Sequence, residues 1–276
     1  MPYITHPSGV KTFYRDDDFA DPWVPHETIP IQHGFGRSSA FWYKWIPILA
    51  KKYRVIRRDA LGHGYSSGAP PGHPLTIESV SAEIIDTLDQ LSLSKVHYLG
   101  ESTAGIFASF LGSAYPDRFL SVSTCGSPLN LPPAAQETLS FGNASCPESV
   151  RKLGARAWGE RFVKLSATDE GTDGGFLRWY LEQFAIPSTQ GLCDYAEMIT
   201  KKGSDAHLVM RVVRVPMLLL TPANSALVPL DDQKELVKYA GAKMEIIEGH
   251  GHEIYLDQAE KCQQKYLQFL DEIRRK

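Results

Sequence analysis

Cysteine is scarce in this chain, and its few positions form no ligand or redox pattern. The 276 residues include four cysteines, no two of which stand in a C-x-x-C pair: Cys125, Cys146, Cys193 and Cys262. This spacing excludes a disulfide framework and a cysteine-rich metal site. In a chain of this length it predicts reduced, buried thiols.

Long apolar runs, basic blocks and a leader-like start are also lacking. No apolar run approaches the ~20 residues of a membrane span, and the segment Met1–His6 has neither the basic nor the apolar region of a secretion signal. The 29 basic and 32 acidic residues give a net charge of −3, with no stretch that favours nucleic acid or an anionic membrane surface. We therefore expect a cytoplasmic protein with neither of these as a partner.

What the chain does contain is typical of a globular α/β protein. Apolar residues make up 43% of the sequence and charged residues 22%. Short β-type runs alternate with helical patterns, of which Thr76–Leu91 is the clearest because its apolar residues recur every three or four positions. This alternation predicts a mostly parallel sheet flanked by helices. The predicted strands are Lys11–Arg15, Ile29–Gln32, Tyr53–Arg57, Lys95–Leu99, Leu120–Thr124, Met217–Thr221 and Lys243–Ile247.

Residues 131–206 differ from the rest of the chain. They contain no convincing strand pattern, begin with Pro132-Pro133 and contain several short helical patterns. We predict that residues 131–206 form a helical cap, or lid, inserted into a core domain made of residues 1–130 and 207–276.

The helical patterns of this segment carry many aromatic side chains. These side chains either form the interior of a helical layer or shape an apolar pocket beneath a lid. For the second alternative, Trp158, Trp179 and Tyr180 are the candidate substrate-binding residues.

The most informative segment is Gly100-Glu101-Ser102-Thr103-Ala104-Gly105, directly behind the apolar run Val96–Leu99. A strand, a tight turn of small residues with one serine, and a helix-compatible segment at Ile106–Tyr115 form the pattern that presents a nucleophile. The alternative is a strand that simply ends in a Gly/Ser turn. We predict that Ser102 is a nucleophile.

A serine hydroxyl needs a base within reach and donors for the oxyanion that forms on attack. The turn at His33-Gly34 follows an early strand and would aim the backbone amide of Phe35 into a cleft. The amide of Thr103, directly after the serine, would be the second donor. The loop after the last strand carries His252, which we predict to be the base in preference to His250.

Two other histidine interpretations are open. His250 and His252 could form a metal pair, but no third ligand stands at a suitable spacing. His63 lies between two glycines after the third predicted strand, and we expect it to pack and hydrogen-bond structurally. We do not predict that it acts as a base.

Taken in order, these segments make the chain resemble the α/β-hydrolase fold enzymes of the small, capped esterase and lactonase type, over nearly its whole length. The segment after Leu131 also resembles the four-helix cap of the enol-lactone hydrolase branch. The resemblance implies an α/β-hydrolase fold with an inserted helical cap, and a serine mechanism that needs no cofactor and no metal. The matching residues are His33-Gly34-Phe35-Gly36, Asp59 with Gly62-His63-Gly64-Tyr65-Ser66, Gly100-x-Ser102-x-Ala104-Gly105, Val215–Leu220, and Gly251-His252 with Asp257.

The sequence departs from that family at the position of the catalytic acid. These enzymes usually have an aspartate four residues ahead of a proline on the loop after the strand before the last, where this chain has Ser225. The alternative acid position, behind the strand that ends near Thr124, offers no carboxylate either. Three outcomes are open: Ser225 or Asn224 accepts the ring N–H of His252, Asp231 or Asp232 substitutes from a shifted loop, or the protein chiefly binds ligands. For Asp231 and Asp232 the structural alternative is an N-capping pair for a helix over Gln233–Ala240.

The chemistry predicted from these residues is acyl transfer. His252 would take the proton of Ser102, which attacks the carbonyl of an apolar or aromatic ester or lactone. One alternative is a ligand-binding or receptor-type protein on the same scaffold, and another is a carbon–carbon bond hydrolase or lyase. A dehalogenase or epoxide hydrolase is not expected, because those enzymes have an aspartate where Ser102 stands.

Overall fold

An eight-stranded sheet forms the centre of the computed structural model, which describes residues 2–166, 173–249 and 251–275. The sheet order is β1-β2-β4-β3-β5-β6-β7-β8, and the pairs β1–β2 and β2–β4 are antiparallel while all others are parallel. The predicted mostly parallel sheet is therefore confirmed. Its strands are β1 (Tyr3–Thr5), β2 (Lys11–Asp17), β3 (Thr28–Gln32), β4 (Arg54–Arg58), β5 (Val96–Glu101), β6 (Phe119–Cys125), β7 (Met217–Pro222) and β8 (Lys243–Ile247).

All seven predicted strands are present, within a few residues of their predicted bounds. The sequence analysis missed β1, which has only three residues and pairs with β2 through Tyr3 opposite Phe13. A run this short carries too little alternation to be recognised as a strand.

In the part of the chain that the structure describes, eleven α-helices accompany the sheet. They are α1 (Ile46–Leu49), α2 (Ile77–Gln90), α3 (Thr103–Ala114), α4 (Pro133–Ser140), α5 (Cys146–Leu153), α6 (Ala155–Ser166), α7 (Gly174–Phe184), α8 (Thr189–Ile199), α9 (Leu230–Ala240), α10 (Ile254–Asp257) and α11 (Ala259–Arg274). The helix predicted over Thr76–Leu91 is α2. Its first turn is closed by a capping box, in which the Thr76 hydroxyl accepts from the Ser79 amide and the Ser79 hydroxyl accepts from the Thr76 amide.

Helices α4 to α8 lie between β6 and β7 in the chain and pack in succession, α4 on α5, α5 on α6 and α8, and α6 on α7. Residues 131–206 were predicted to contain no strand, and their described part contains none. The aromatic residues of α6 and α7 stack on one another, as Trp158 does on Phe162 and Phe184.

The turn between β5 and α3 holds its serine in a strained conformation. Ser102 has φ 51° and ψ −126°, values that a residue with a side chain rarely adopts. Glycine is required at Gly100, because a Cβ there would stand 2.4 Å from the carbonyl oxygen of Ala104. It is also required at Gly105, where a Cβ would stand 2.2 Å from the Ser127 hydroxyl. The small residues around the serine therefore have the steric cause expected from the sequence.

The role predicted for Asp231 and Asp232 as capping residues is wrong in its detail. Helix α9 begins at Leu230, its N-cap is Pro229, and no side chain makes a cap hydrogen bond there. The two aspartates lie inside the first turn, where negative charge favours the positive end of the helix dipole.

Two histidines near the carboxyl ends of the strands are held by backbone groups. The Nδ1 atom of His33 donates to the Gly34 carbonyl at 2.8 Å and its Nε2 accepts from the Ala60 amide at 2.9 Å. His63 donates to the Leu61 carbonyl and accepts from the Gly36 amide in the same way. Burial lowers the pKa of each ring to about 3. The expected structural role of His63 agrees with this geometry.

The four cysteines are free and buried, as predicted. Among the described residues, no helix combines the length and the apolar character needed to cross a membrane. In the same residues, no three His, Cys, Asp or Glu side chains gather closely enough to hold a metal ion. His250, the other histidine of the metal pair weighed from the sequence, lies outside the described residues.

The steric limit at Gly100 predicts a loss of stability in Gly100→Ala. The added Cβ meets backbone rather than a movable side chain, so the turn must shift, at a cost of about 1–3 kcal/mol. Gly68→Ala is the matched control, because nothing lies within 4 Å of a Cβ at that position. Urea unfolding of both variants measures the difference, and equal midpoints would contradict the packing described here.

The buried neutral histidines predict that acid destabilises the fold. Between about pH 4 and 6 the unfolded chain binds a proton at each of His33, His63 and His252 that the folded chain excludes, so stability falls by about 1.4 kcal/mol per pH unit for each ring as the pH drops. Glu83 has the opposite effect. Burial raises its pKa to about 7, so the folded chain binds a proton there that the unfolded chain has released, and this offsets the contribution of one histidine. Urea unfolding at pH 6 and pH 4.5 measures the slope. His63→Asn should reduce the dependence of the unfolding free energy on pH by the contribution of one ring, about 1.4 kcal/mol per pH unit. His26→Asn, at a partly exposed site, should not reduce it.

Candidate active site

The structure brings the predicted nucleophile and base together. The Nε2 atom of His252 lies 2.9 Å from the hydroxyl oxygen of Ser102, although 150 positions separate the two residues in the chain. Ser102 stands at the carboxyl end of β5, at the start of α3, and His252 lies on the loop between β8 and α10. The sheet topology creates this pair, because the carboxyl ends of parallel strands meet at one edge.

The loop that carries His252 is packed tightly against the end of β6. A Cβ at Gly126, which has φ 58°, would stand 2.7 Å from the His252 carbonyl oxygen, so only glycine allows this approach. The imidazole itself is buried. Burial lowers its pKa to about 3, and the positive charge of Arg37 acts in the same direction. His252 is therefore uncharged over the ordinary pH range.

The other ring nitrogen of His252 has no hydrogen-bond partner among the described residues. Its Nδ1 atom is buried and unsatisfied. The predicted pairing with Ser225 is wrong, because the Ser225 hydroxyl instead accepts from the backbone amide of Leu227 at 3.2 Å, and Asn224 is exposed.

Neither of the displaced acids considered from the sequence reaches the ring. Asp231 pairs with Lys234 at 2.6 Å on the surface of α9. The carboxyl of Asp232, whose pKa burial raises, faces charged groups that include His207 and Glu235. A serine stands at the position of the family's acid, and its short side chain makes a local turn contact.

The turn after β3 carries the first of the two predicted oxyanion donors, the backbone amide of Phe35. The Gly34 carbonyl accepts from Nδ1 of His33 and from the backbone amide of Arg37 at 3.3 Å, which fixes the peptide between Gly34 and Phe35. Its amide, that of Phe35, consequently points to the opposite side. There it donates to the hydroxyl of Thr103 at 3.0 Å. The two predicted donor residues, Phe35 and Thr103, are thus adjacent, but the Phe35 amide already donates its hydrogen bond to the Thr103 side chain.

A small cavity of about 20 Å³ adjoins Ser102 and His252. This volume corresponds to about one water-sized probe. Apart from the serine, the threonine and the histidine, its walls are apolar. They are formed by Phe35, Pro128, Leu131, Leu139, Phe162, Ile199 and Leu227.

The three aromatic residues predicted to bind substrate lie elsewhere. Trp158 is buried behind Phe35, with ring centroids 5.1 Å apart, and its indole N–H donates to the Leu139 carbonyl. Trp179 faces an outer cleft of about 880 Å³. Tyr180 packs against the Phe184 ring and donates to a carboxylate. None of the three lines the small cavity beside Ser102, since helical spacing alone does not say which face of a helix points to the serine. Their substrate-binding role stays a prediction.

The sequence analysis did not single out two charged residues beside this site, Arg37 and Glu253. They form an ion pair in which both side chains are at most 1% exposed. Glu101, also buried, accepts the Gly34 amide at 2.7 Å. Burial raises the pKa of Glu101, and the charge of Arg37 partly opposes that rise. The available signal was the presence of opposite charges on two loops that the topology brings to one sheet edge.

Comparison with known proteins gives matches at two levels. The 3-oxoadipate enol-lactonase 1 of Acinetobacter baylyi is 29% identical over 97 residues, which are 35% of this chain and 36% of that protein. The non-heme chloroperoxidase of Burkholderia pyrrocinia is 32% identical over 108 residues, 38% of this chain and 36% of that protein. The matched segments therefore span little more than a third of the length of these curated relatives.

Solved structures match over nearly the whole chain, at low identity. The enol-lactonase from Burkholderia xenovorans LB400 superposes with a TM-score of 0.85 and 22% identity, covering 98% of this chain and 100% of that one. A thermophilic esterase from Thermogutta terrifontis superposes with a TM-score of 0.81 and 19% identity, covering 99% of this chain and 98% of that one. These likenesses show a common fold. The sequence model of the alpha/beta hydrolase fold matches residues 28–259, and the chain belongs to that family.

Proposed function

We propose that this protein is a serine hydrolase that cleaves a carboxylic ester or lactone of an apolar small molecule. The observation that carries the proposal is the 2.9 Å approach of His252 Nε2 to the Ser102 hydroxyl, in a buried site where the imidazole is neutral. A neutral imidazole at this distance is the arrangement that general-base activation of a serine requires.

In the first step, Nε2 of His252 takes the proton of Ser102 while the serine oxygen bonds to the substrate carbonyl carbon. The carbonyl π electrons move to the oxygen, which becomes the oxyanion of a tetrahedral intermediate. When the intermediate collapses, the C–O bond to the leaving group breaks and the imidazolium of His252 returns the proton to the departing alkoxide. An acyl group then remains on Ser102.

In the second step, water attacks the acyl carbon as His252 takes one of its protons. The bond to Ser102 breaks, the proton passes to the serine oxygen, and the carboxylic acid leaves. No cofactor is needed for this balance. In a lactone, the alcohol and the acid released by the two steps belong to one molecule.

The oxyanion donors are the backbone amides of Phe35 and Thr103. Thr103 is the first residue of α3, so its amide is one of the unsatisfied N–H groups of a helix N-terminus and favours negative charge. The Phe35 amide is engaged by the Thr103 hydroxyl. The substrate carbonyl oxygen must therefore displace that hydroxyl, by rotation of the threonine side chain, before it reaches both donors.

The apolar lining of the cavity supports an apolar substrate, and its small volume supports a lid. Leu139, Phe162 and Ile199 reach the serine from helices α4, α6 and α8. We propose that residues 131–206 form the lid subdomain over a core of residues 1–130 and 207–276, and that these helices move outward to admit substrate. The likeness in fold to an enol-lactonase and to esterases fits this proposal without choosing a substrate.

One observation favours a second candidate function, ligand binding on the same scaffold. Nδ1 of His252 lacks an acceptor in the described part of the chain, and without one the imidazolium formed during catalysis is poorly stabilised. A binding protein would react with a fluorophosphonate slowly or not at all, and would still bind apolar esters without turnover. The labelling experiment below separates the two functions.

Ser102→Ala should abolish covalent labelling by a fluorophosphonate and reduce hydrolysis of short-chain aryl esters and lactones by about 10⁴-fold or more, because the acyl-accepting oxygen is gone. Ser109→Ala is the matched control, since Ser109 is a buried serine on α3. It should label and turn over like the unaltered protein. Undiminished hydrolysis by Ser102→Ala would refute the mechanism.

Thr103→Ala should raise kcat/KM for an aryl ester by about fivefold, because the substrate no longer competes with a hydrogen bond worth about 1 kcal/mol for the Phe35 amide. Thr103→Ser keeps the hydroxyl and should behave like the unaltered protein. Steady-state kinetics on one substrate compares the three proteins. A lower rate in Thr103→Ala, restored in Thr103→Ser, would mean that the hydroxyl itself stabilises the oxyanion.

A further inference from the structure

The guanidinium of Arg37 is buried directly behind the site, three residues after Gly34. It forms an ion pair with Glu253, the residue that follows His252. It also donates from one terminal nitrogen to the Phe35 carbonyl at 3.2 Å. One side chain thus joins the turn that carries the proposed oxyanion donor to the loop that carries the proposed base.

Four aromatic rings surround this guanidinium. The central carbon of Arg37 lies 4.6 Å from the ring centroid of Phe162, 5.3 Å from Tyr180, and 5.7 Å from both Phe41 and Phe184. Phe162 belongs to α6, and Tyr180 and Phe184 belong to α7. The Tyr180 hydroxyl also donates to Glu253 at 3.3 Å. Arg37 and Glu253 therefore contact the core and the helices above it at the same time.

A charge in such surroundings is held tightly. A buried guanidinium or carboxylate that loses its partner is strongly destabilised, so each side chain keeps the other in place. Weakly hydrated guanidinium groups are suited to this environment, because they stack on aromatic faces while they donate hydrogen bonds in their own plane. The pair acts as a rigid link between the turn after β3 and the loop that carries His252.

We infer that the Arg37–Glu253 ion pair positions His252, taking over the orienting part of the role that a triad acid has in related sites. The inference rests on the proposed function, since it concerns the same serine and histidine. It explains how a ring whose Nδ1 has no partner in the described residues still points its Nε2 at Ser102. The backbone of the loop is fixed on one side by the close approach of the His252 carbonyl to Gly126 and on the other by the pair.

Arg37→Met and Glu253→Gln test the inference. Each keeps the approximate volume of the side chain and removes one charge of the pair. Loss of the link lets the His252 loop shift, and a displacement of about 1 Å can cost on the order of 10²-fold in rate. The rate constant for labelling of Ser102 by a fluorophosphonate should therefore fall ten- to a hundredfold in both variants, and kcat for an aryl ester should fall with little change in KM.

The matched control is Arg57→Met. Arg57 is another buried arginine, near the carboxyl end of β4, and it forms a two-bonded ion pair with Asp17 at 2.7 and 3.0 Å. The proposed mechanism gives this residue no role. It should lose stability as the Arg37 variant does but keep its labelling rate. A loss of activity that came only from a weakened fold would appear in all three variants.

The pH profile of labelling gives a readout that a purely structural role would not move. The charged and titratable groups around His252 are Arg37 after β3, Glu101 on β5, Tyr180 on α7, and Glu253 and Tyr255 beside it in the chain. The positive charge of Arg37 disfavours protonation of the ring, so its removal raises the pKa of His252 and shifts the acid limb to higher pH. Glu253→Gln keeps that cation and should not shift the limb upward, although it breaks the same pair.

The outcomes separate this inference from the proposed function. If the unaltered protein is not labelled at Ser102, the proposed function fails. If it is labelled, and folded Arg37→Met and Glu253→Gln proteins label at its rate with its acid limb, only the positioning role fails. Should Arg37→Met not fold, the near-isosteric Glu253→Gln decides alone, because slower labelling supports the link and an unchanged rate overturns it.

Discussion

The site depends on one steric constraint, the close approach of three loops to a serine held in a strained conformation. Gly34 lies so near Ser102 that a Cβ on the glycine would stand 2.6 Å from the serine Cβ. On the other side, Gly126 admits the carbonyl of His252. Only glycine permits both contacts. Ser102 keeps its positive φ because the chain must turn sharply between β5 and α3. Backbone strain of this kind costs on the order of 1–3 kcal/mol, which the surrounding packing must offset.

Burial then sets the electrostatics of the site. Side chains from α4, α6 and α8 line the cavity beside Ser102 with apolar groups, and a low-dielectric environment penalises every charged form within it. His252 is consequently neutral, with a lowered pKa. The same burial forbids an isolated Arg37, so the guanidinium must be paired. A neutral base and a paired cation are therefore two results of one cause, the exclusion of water from the strand ends.

Much of this arrangement could be predicted from the sequence, because the decisive signals are local. The glycines around Ser102 and the His33-Gly34 turn each reflect a steric need of a few adjacent residues, and the order of the strands brings them to one edge. The remaining contacts join distant parts of the chain. No local pattern indicates that the Thr103 hydroxyl accepts the Phe35 amide, that Arg37 pairs with Glu253, or that Leu131 rather than Trp158 borders the cavity. Those contacts depend on side-chain directions that appear only when the helices are packed.

The unsatisfied Nδ1 atom has a consequence for the mechanism. For His252 to accept a proton at Nε2, the neutral ring must carry its proton on Nδ1, where an acceptor is missing in the described part of the chain. A buried donor without a partner costs about 1–3 kcal/mol, which shifts the balance toward the tautomer protonated at Nε2. In that tautomer the ring donates to Ser102 and cannot activate it. Since 1.4 kcal/mol corresponds to a factor of ten, the reactive fraction falls by about one to two orders of magnitude. On the proposed mechanism this favours carbonyl groups that carry a good leaving group, such as an aryl oxide, over plain alkyl esters, because less of the barrier then depends on the base.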